Sequence, residues 1–304
     1  MTAAARALAE TILRSAARRV AFLGLAKNVG KTTALVAVLA ELHALGQRAG
    51  VTSAGRDGES FDAITGEPKP RFAVWPGQLL ASASSTFEAA SFPSSSVAAL
   101  PFTTRFGRIE VRRAEAPGEI EMIGPSTASQ TAEAAAALER AGAAIVLLDG
   151  AIGRRAFACA RVADGIVLCA GLAAGASLDA AAAAVRSAGE LLTLAAAPSH
   201  ASVREVPGAL TGATLRDAPP RRGETLIVED FASIFLDAED RRRLREAGAA
   251  LAVRHPARLL AATSNPTAPA RPPVSADRFL AAVADVLPRT AVFDVVADRQ
   301  STRT

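Results

Sequence analysis

The sequence predicts an α/β fold in which a mostly parallel sheet is flanked by helices, with a further α/β region towards the C-terminus. Short apolar runs occur at 19–25, 143–149 and 165–171, and segments with helical periodicity lie between them. Strands that alternate with helices usually pair in parallel and are covered on both faces. In addition, a glycine-containing loop at 24–33 joins the first apolar run to a helix.

The elements of the first two thirds of the chain follow from periodicity and capping signals. Helices are predicted over 3–17, over 33–45, and from Ser126 as N-cap to about residue 140; strands are predicted over 19–25, 48–53, 143–149 and 165–171. Alternating polar and apolar residues at 105–113 and 119–123, around Ala116-Pro117-Gly118, predict a β-hairpin. Residues 55–96 show no regular pattern.

The alternation of predicted strands and helices continues after residue 200, but its periodicity is weaker. Strands are predicted over 225–229, 248–253, 258–263 and 290–296, with helices over 237–247 and 275–286. Prolines at 198, 207, 219 and 220 interrupt regular structure between the two parts of the chain. We therefore predict a first domain over 1–197 and a C-terminal α/β region over 198–304, which is either separate from the first domain or continuous with it.

Composition argues against several classes of partner. The net charge is only +4 over 304 residues, and acidic and basic residues are interspersed, so no basic stripe for nucleic acid stands out. No apolar run reaches the length of a membrane span, and residues 2–18 do not resemble a signal peptide. Cys159 and Cys169 fit buried thiols better than a disulfide framework or a metal set. These features predict a cytoplasmic protein without a nucleic-acid or membrane partner.

Lysine usage points to one segment. The chain has three lysines against 31 arginines, and two of the lysines, Lys27 and Lys31, lie in the 24–33 loop. An ammonium is a compact point charge that enters a phosphate-binding loop where a planar guanidinium does not fit. The composition therefore favours a phosphate ligand at this loop.

The loop has the spacing of a long phosphate-binding loop. Five residues separate Gly24 from Gly30-Lys31-Thr32, one more than in the common form. Backbone N–H groups and the N-terminus of the following helix would hold the phosphates, Lys31 would reach the β- and γ-phosphates, and Thr32 would bind Mg²⁺. The predicted cofactor-binding residues are Gly24, Lys27, Asn28, Val29, Gly30, Lys31, Thr32 and Thr33. The alternative is an ordinary glycine turn with an exposed lysine.

Carboxylates near the ends of predicted strands complete the expected site. Asp149 ends the most apolar strand, where it could hold Mg²⁺ or merely cap the next turn. Asp57, Glu59 and Asp62 follow the second strand, where they could orient water or form a plain acidic loop. The predicted catalytic residues are Lys31, Asp57 and Asp149, and the predicted metal ligands are Thr32, Asp57 and Asp149.

Other polar residues have two interpretations each. Asn265, in Thr-Ser-Asn-Pro, could read a nucleobase edge, although Asn-Pro more often forms a turn. Lys69, between two prolines, and Arg154-Arg155 could contact a ligand or partner or simply lie on the surface. No guanine-reading Asn-Lys-x-Asp run is present, which favours ATP over GTP. The histidines are isolated from one another, at His43, His200 and His255.

Several segments together resemble one family. They are GLAKNVGKTT at 24–33, TSAGRDGESFDAITGEPKPR at 52–71, IGPSTAS at 123–129, LLDGAIGRR at 147–155, VEDFASIFL at 228–236 and TSNP at 263–266. They resemble the P-loop subunit of the lysine 5,6-aminomutase reactivase, often called KamB, within the dethiobiotin synthetase-like branch of P-loop NTPases. The 52–71 segment is the most specific part, and the end of the Ser/Thr-rich region beyond it aligns with nothing.

The resemblance implies an ATP-binding and ATP-hydrolysing subunit that uses Mg²⁺. Such a factor opens an adenosylcobalamin-dependent aminomutase and releases damaged cobalamin. The implied partners are a second, MutS-related reactivase subunit and the aminomutase itself.

Three other functions compete with this interpretation. The first is a dethiobiotin-synthetase-like ATP-dependent ligase that acts on a small carboxylate. A GTPase metallochaperone is disfavoured, because the sequence has neither a histidine-rich tract nor a paired cysteine site. The last is a nucleotide-binding scaffold without turnover.

Overall fold

The computed structural model describes residues 2–53, 72–152, 158–198, 202–269, 271–272 and 274–301. Its helices are α1 Ala3–Arg14, α2 Lys31–Ala44, α3 Ser84–Glu88, α4 Ala128–Arg140, α5 Leu178–Leu192, α6 Gly212–Asp217, α7 Ala238–Glu246 and α8 Ala276–Val286, with 3₁₀ turns at Leu172–Ala174 and Phe231–Ser233. Its strands up to residue 171 are β1 Arg19–Gly24, β2 Ala49–Ser53, β3 Phe72–Val74, β4 Leu79–Ala83, β5 Ser94–Thr104, β6 Gly107–Ala114, β7 Gly118–Ile120, β8 Ile145–Ile152 and β9 Gly165–Gly171. The later strands are β10 Val203–Glu205, β11 Leu210–Thr211, β12 Thr225–Val228, β13 Ile234–Phe235, β14 Ala250–Val253, β15 Leu259–Asn265, β16 Val292–Asp294 and β17 Arg299–Gln300.

Ten strands form one sheet in the order β17-β16-β15-β9-β1-β8-β2-β4-β6-β5. The seven strands from β16 to β4 are parallel, and antiparallel pairs occur only towards the two edges. This arrangement confirms the predicted α/β class with a mostly parallel sheet flanked by helices. Strands β15 to β17 lie after residue 197, so the sheet takes strands from both sides of the predicted domain boundary, and the division itself stays a prediction.

Both faces of the sheet are covered by helices. Along β1, Val20 and Phe22 pack with α1 and α2, whereas Ala21 and Leu23 pack with α4, α5 and α8. Strands β8 and β9 divide their side chains in the same way. A strand that is buried on both faces reads as a continuous apolar run, which explains why these three strands were visible in the sequence.

The remaining strands form small sheets. β10, β12 and β14 make a three-stranded parallel sheet, β11 pairs in parallel with β13, and β3 pairs antiparallel with β7. The predicted hairpin around 116–118 is therefore wrong. Strand β6 turns back on β5 through residues 105–106, and β7 pairs with β3 instead. Alternation identified extended backbone there, but it carries no information about the partner strand.

Two helix starts also differ from the predicted ones. α4 is capped by Thr127, whose side chain accepts from the Gln130 N–H at 3.2 Å, so the prediction of Ser126 as cap was wrong by one residue. α2 begins at Lys31, two residues earlier than predicted. Of the helices in the described ranges, none has the length and apolar character needed to cross a bilayer.

An ion pair fixes the start of β1. Arg19 donates to both carboxylate oxygens of Glu139 on α4, with Nε–Oε1 at 2.9 Å and Nη2–Oε2 at 2.6 Å. The hydrogen bond from Arg19 lowers the pKa of Glu139, with a smaller contribution from its positive charge. Asp164, just before β9, accepts from the Arg18 and Arg19 N–H groups. The strand that leads into the 24–33 loop is thus anchored at its entry.

We expect Glu139→Gln to lower the free energy of unfolding by about 1 kcal/mol at neutral pH, because a paired, partly buried carboxylate is lost. Since the folded pKa is lowered, this contribution is present above the ordinary carboxyl pKa and disappears as pH falls through the folded value. Urea unfolding from pH 7 to pH 3 measures it. Glu10→Gln, in an exposed pair with Arg6 on α1, is the control and should change stability less. Equal effects at pH 7 and pH 3 would contradict the assignment.

Candidate functional site

The 24–33 loop lies at the carboxyl edge of the parallel sheet. It leaves β1 at Gly24 and enters α2 at Lys31. The N-cap of α2 is Gly30, which has no side chain to accept a hydrogen bond from the first turn. Every other described helix longer than five residues begins with a Ser, Thr or Asp side chain that does so. The first N–H groups of α2 are therefore not occupied by a capping side chain and favour an anion.

The loop backbone is turned at two positions. Gly30 has φ 84° and Asn28 has φ 59°, both in the left-handed region. Glycine adopts this region without steric cost, and asparagine is among the few other residues that tolerate it. Left-handed residues within a turn direct successive N–H groups towards one point, which makes a concave anion site.

Lys31 lies folded over this loop. Its side chain is buried, with the residue 6% exposed, and its Nζ donates to the Ala26 carbonyl at 3.3 Å. A Cβ placed on Gly24 would lie 2.6 Å from Lys31 Cδ, so the lysine stem crosses directly over the glycine. Lys31 is therefore not the exposed lysine of an ordinary surface turn, and Gly24 is needed for its close approach.

Thr32, in the first turn of α2, faces Asp149 on β8. The Thr32 hydroxyl donates to Asp149 Oδ2 at 3.0 Å, and Asp149 is 7% exposed.

The prediction that β8 ends at Asp149 is wrong, because β8 continues to Ile152. The register between β1 and β8 shifts at this point, and Gly150 takes φ 91°. Asp-Gly pairs are typical of turns, but in this strand the pair forms a β-bulge. Bulges often occur next to functional sites, where they redirect side chains.

Strand β9, on the other side of β1 from β8, carries Cys169 near the Thr32–Asp149 pair. Cys169 is fully buried and is paired with Gly24 on β1 and with Thr263 on β15. Burial raises the pKa of the Cys169 thiol to about 12, while Thr263 and Lys31 favour its ionisation and Asp149 opposes it. The Cys169 thiol is thus close enough to Lys31 and Asp149 to feel their charges. It is nevertheless neutral and serves as a packing group. The prediction that both cysteines are buried is confirmed.

Asn265 holds the loop from the other side. Its Nδ2 donates to the Asn28 carbonyl at 3.0 Å, and its Oδ1 accepts from the Thr267 N–H at 3.1 Å and the Thr267 hydroxyl at 2.8 Å. Both acceptor positions of the amide oxygen are thus used within the protein. The Asn265 side chain thus supports the chain at Thr267 and the backbone of the 24–33 loop, and a role of Asn265 in reading a base stays a prediction.

A cavity of about 250 Å³ adjoins the loop. It extends from the first turn of α2 at Gly30 and Thr33 to the ends of β15 and β16. Ser264 and Asp294, both buried, contribute to its lining, as do residues 295–297. The sequence argument missed Asp294, although it is a carboxylate at the end of a buried strand, which is the signal that identified Asp149.

A second cavity, of about 570 Å³, lies between α4 and the small parallel sheet. Its lining includes Ser129, Cys159 and Asp230, together with Arg161, Glu229 and His255. Glu229 is 3.5 Å from the imidazole of His255 and 3.9 Å from Arg161. Burial raises the pKa of the Asp230 carboxyl, and it also raises that of the Cys159 thiol. This cavity supplies convergent polar groups that the sequence did not reveal.

Some predicted residues lie outside the described part of the chain. They are Asp57, Glu59, Asp62 and Lys69, which fall within 54–71, Arg154 and Arg155, which fall within 153–157, and His200. Within the described ranges, no group of three or more His, Cys, Asp or Glu residues has the geometry of a metal site. The residues that the structure brings together at the loop are Lys31, Thr32 and Asp149, with Asn28 and Asn265 holding the backbone.

Comparison of the chain with protein-family models, with curated proteins and with solved structures found no match in any of the three.

We expect Cys169 to be protected from thiol reagents in the folded protein, because at pH 8 a thiol with a pKa of about 12 is ionised in only about one molecule in ten thousand. In a Cys159→Ser background, reaction with Ellman's reagent should be at least about a hundredfold slower in native buffer than in 6 M guanidinium. The absorbance time course measures both rates. Equal native and unfolded rates would contradict the burial of this thiol beside the loop.

Proposed function

We propose that the chain binds ATP with Mg²⁺ through the 24–33 loop and acts as the ATP-hydrolysing subunit of a reactivating factor for an adenosylcobalamin-dependent aminomutase. The observation that carries the nucleotide part is the buried ammonium of Lys31, folded over Gly24 at the uncapped start of α2. Such an ammonium beside converging N–H groups suits a phosphate chain.

The residues of the loop have complementary roles in this proposal. The N–H groups around Gly30 bind phosphate oxygens, and the Asn28–Asn265 hydrogen bond keeps the loop in shape. Lys31 exchanges its contact with the Ala26 carbonyl, which is long at 3.3 Å, for a charge-assisted contact with the β- and γ-phosphates. Because the groups are held in place before binding, little ordering free energy is lost.

The Thr32–Asp149 pair fits Mg²⁺. Magnesium prefers hard oxygen donors and commonly retains several waters, and a hydroxyl 3.0 Å from a buried carboxylate offers one direct and one water-mediated position. Thr32 and Asp149 would hold the ion, which when bound neutralises negative charge on the phosphates. Asp57, the third predicted ligand, remains a proposal from the sequence.

The reactivase part of the proposal rests on the family resemblance. The residues that match the nucleotide-binding motifs of that family include Gly24, Lys31 and Asp149, which the structure gathers at one edge. In this proposal, ATP turnover drives opening of the aminomutase and release of damaged cobalamin, together with a second, MutS-related subunit.

The cavity beside α4 favours a second candidate, an ATP-dependent ligase that acts on a small carboxylate. Arg161 provides a cation for the carboxylate, while Asp230 and His255 line the same space. Ligand pockets combine apolar walls with a few convergent polar groups in this manner. The two candidates differ in what stimulates ATP turnover.

We expect Lys31→Ala to weaken ATP binding by at least about a hundredfold, because a charge-assisted contact in a partly enclosed site is lost. Isothermal titration calorimetry with Mg-ATP measures the affinity, and thermal unfolding of the same sample shows that the variant is folded. Arg14→Ala removes one positive charge from an exposed position on α1 and should leave the affinity unchanged. Undiminished binding by folded Lys31→Ala would refute the nucleotide site.

We expect ATP hydrolysis to rise when the protein is mixed with an aminomutase that carries hydroxocobalamin, in the presence of the second reactivase subunit, and cobalamin to be released in step with phosphate. Phosphate release and the visible absorbance of cobalamin measure the two events. Lys31→Ala should abolish both. Turnover that ignores the aminomutase and instead requires a small carboxylate would replace this proposal with the ligase.

A further inference from the structure

Two residues with buried side-chain oxygens occupy neighbouring positions at the ends of β15 and β16. Ala262 pairs with Val292 and Thr263 with Phe293, so Ser264 and Asp294 are neighbours one step further along the two parallel strands. Ser264 is 6% exposed and Asp294 is 1% exposed. Within the described part of the chain, neither Ser264 Oγ nor Asp294 Oδ2 has a hydrogen-bond partner. Burying such groups unmatched is unfavourable, so a polar ligand group at this position would stabilise the protein.

The other oxygen of Asp294 is already used. Oδ1 accepts from the Val296 N–H at 3.1 Å and from the Ala297 N–H at 2.8 Å. These bonds fix the orientation of the carboxylate and leave Oδ2 as its one acceptor for a ligand. Asn265, which lines the same cavity, has its amide oxygen occupied by Thr267. The free hydrogen-bonding capacity on this side therefore belongs to Ser264 and Asp294.

The cavity connects this pair to the 24–33 loop. Its lining runs from Gly30 and Thr33 at the start of α2 to Val295 and Val296. Its volume of about 250 Å³ is just below the usual range of ligand-pocket volumes, as expected for one part of a larger ligand. The side chains of Val29, Pro266, Val295 and Val296 supply apolar surface suited to the faces of a flat ring.

We propose that Ser264 and Asp294 select adenine, with the exocyclic amino group donating one hydrogen to Asp294 Oδ2 and the other to Ser264 Oγ. This inference rests on the proposed function, in which the phosphates occupy the loop. Adenine carries two N–H donors on one nitrogen, which matches two adjacent acceptors. Guanine has a carbonyl oxygen at the corresponding position, which a carboxylate repels, and its paired N1–H and N2–H donors require two free carboxylate oxygens. Only one is free here.

The test compares three triphosphates that differ at this ring position. ATP carries the amino group, purine riboside triphosphate carries hydrogen, and ITP carries a carbonyl oxygen. The wild-type protein should bind ATP at least about tenfold more tightly than either analogue, because the analogues leave buried acceptors unmatched. Calorimetric titration with each triphosphate, with equal Mg²⁺, gives the dissociation constants.

The variant Asp294→Asn tests the role of the carboxylate more directly than the comparison of triphosphates in the wild type. The asparagine oxygen can replace Oδ1 as acceptor from Val296 and Ala297, which places an N–H₂ donor where Oδ2 lies. The ratio of ITP to ATP affinity should rise at least about tenfold, and Ser264→Ala should reduce the preference for ATP over purine riboside triphosphate. Asp277→Asn, at an exposed position on α8 that pairs with Arg299, is the matched control and should leave all ratios unchanged.

The outcomes separate this inference from the function on which it rests. If the wild type binds all three triphosphates equally, or if Asp294→Asn leaves the ITP-to-ATP ratio unchanged, the pair does not read the base and the inference is overturned, while nucleotide binding through the loop stands. If inorganic tripolyphosphate, ATP and ITP all fail to bind the wild type, the proposed function itself fails and the adenine assignment falls with it.

Discussion

The burial of one ammonium group organises the carboxyl edge of this sheet. Lys31 is almost inaccessible to solvent, and a charge in that position is costly unless polar groups are arranged around it. The chain meets this requirement with a loop that folds back on the lysine, so that a backbone carbonyl lies at Nζ and a glycine lies under the stem. The same loop has left-handed backbone at Asn28 and Gly30. Replacing a buried ionic group by an apolar side chain is often neutral or stabilising, so stability alone does not account for a lysine at this position.

The parallel pairing of the central strands determines which residues surround that loop. Strands β8, β9 and β15 all end at the same edge as β1, because β8 and β9 pair with β1 in parallel and β15 pairs with β9 in parallel. Residues that are more than a hundred positions apart therefore become neighbours, as Thr32 and Asp149 do at 3.0 Å. Ligands of open α/β sheets bind at this edge for the same reason. The antiparallel strands β5 and β6 extend the sheet away from the site.

The last third of the chain takes part in the site as well as in the sheet. Asn265 on β15 holds the 24–33 loop by a single amide, and β16 brings Asp294 to the cavity beside it. The segment between β9 and β15 contains the three-stranded parallel sheet, and Glu229 and Asp230, which directly follow its strand β12, line the larger cavity next to α4. The molecule thus offers the 24–33 loop with the buried Lys31, a small cavity with two unpartnered acceptors beside it, and a larger cavity with mixed charge.

The sequence by itself determined the α/β class, the buried central strands and the 24–33 loop, because these depend on local periodicity and on residues adjacent in the chain. Apolar runs such as 165–171 and the spacing of Gly24 from Lys31 need no tertiary information. Strand pairing at the antiparallel end of the sheet, the bulge at Asp149-Gly150 and the environment of Asp294 were decided only by the tertiary structure. Each of these depends on which distant strand lies alongside, and neither alternation nor a turn-forming dipeptide specifies a partner. The same limit explains Asn265, whose amide is a turn residue by sequence and becomes a loop support only because β15 ends beside Asn28.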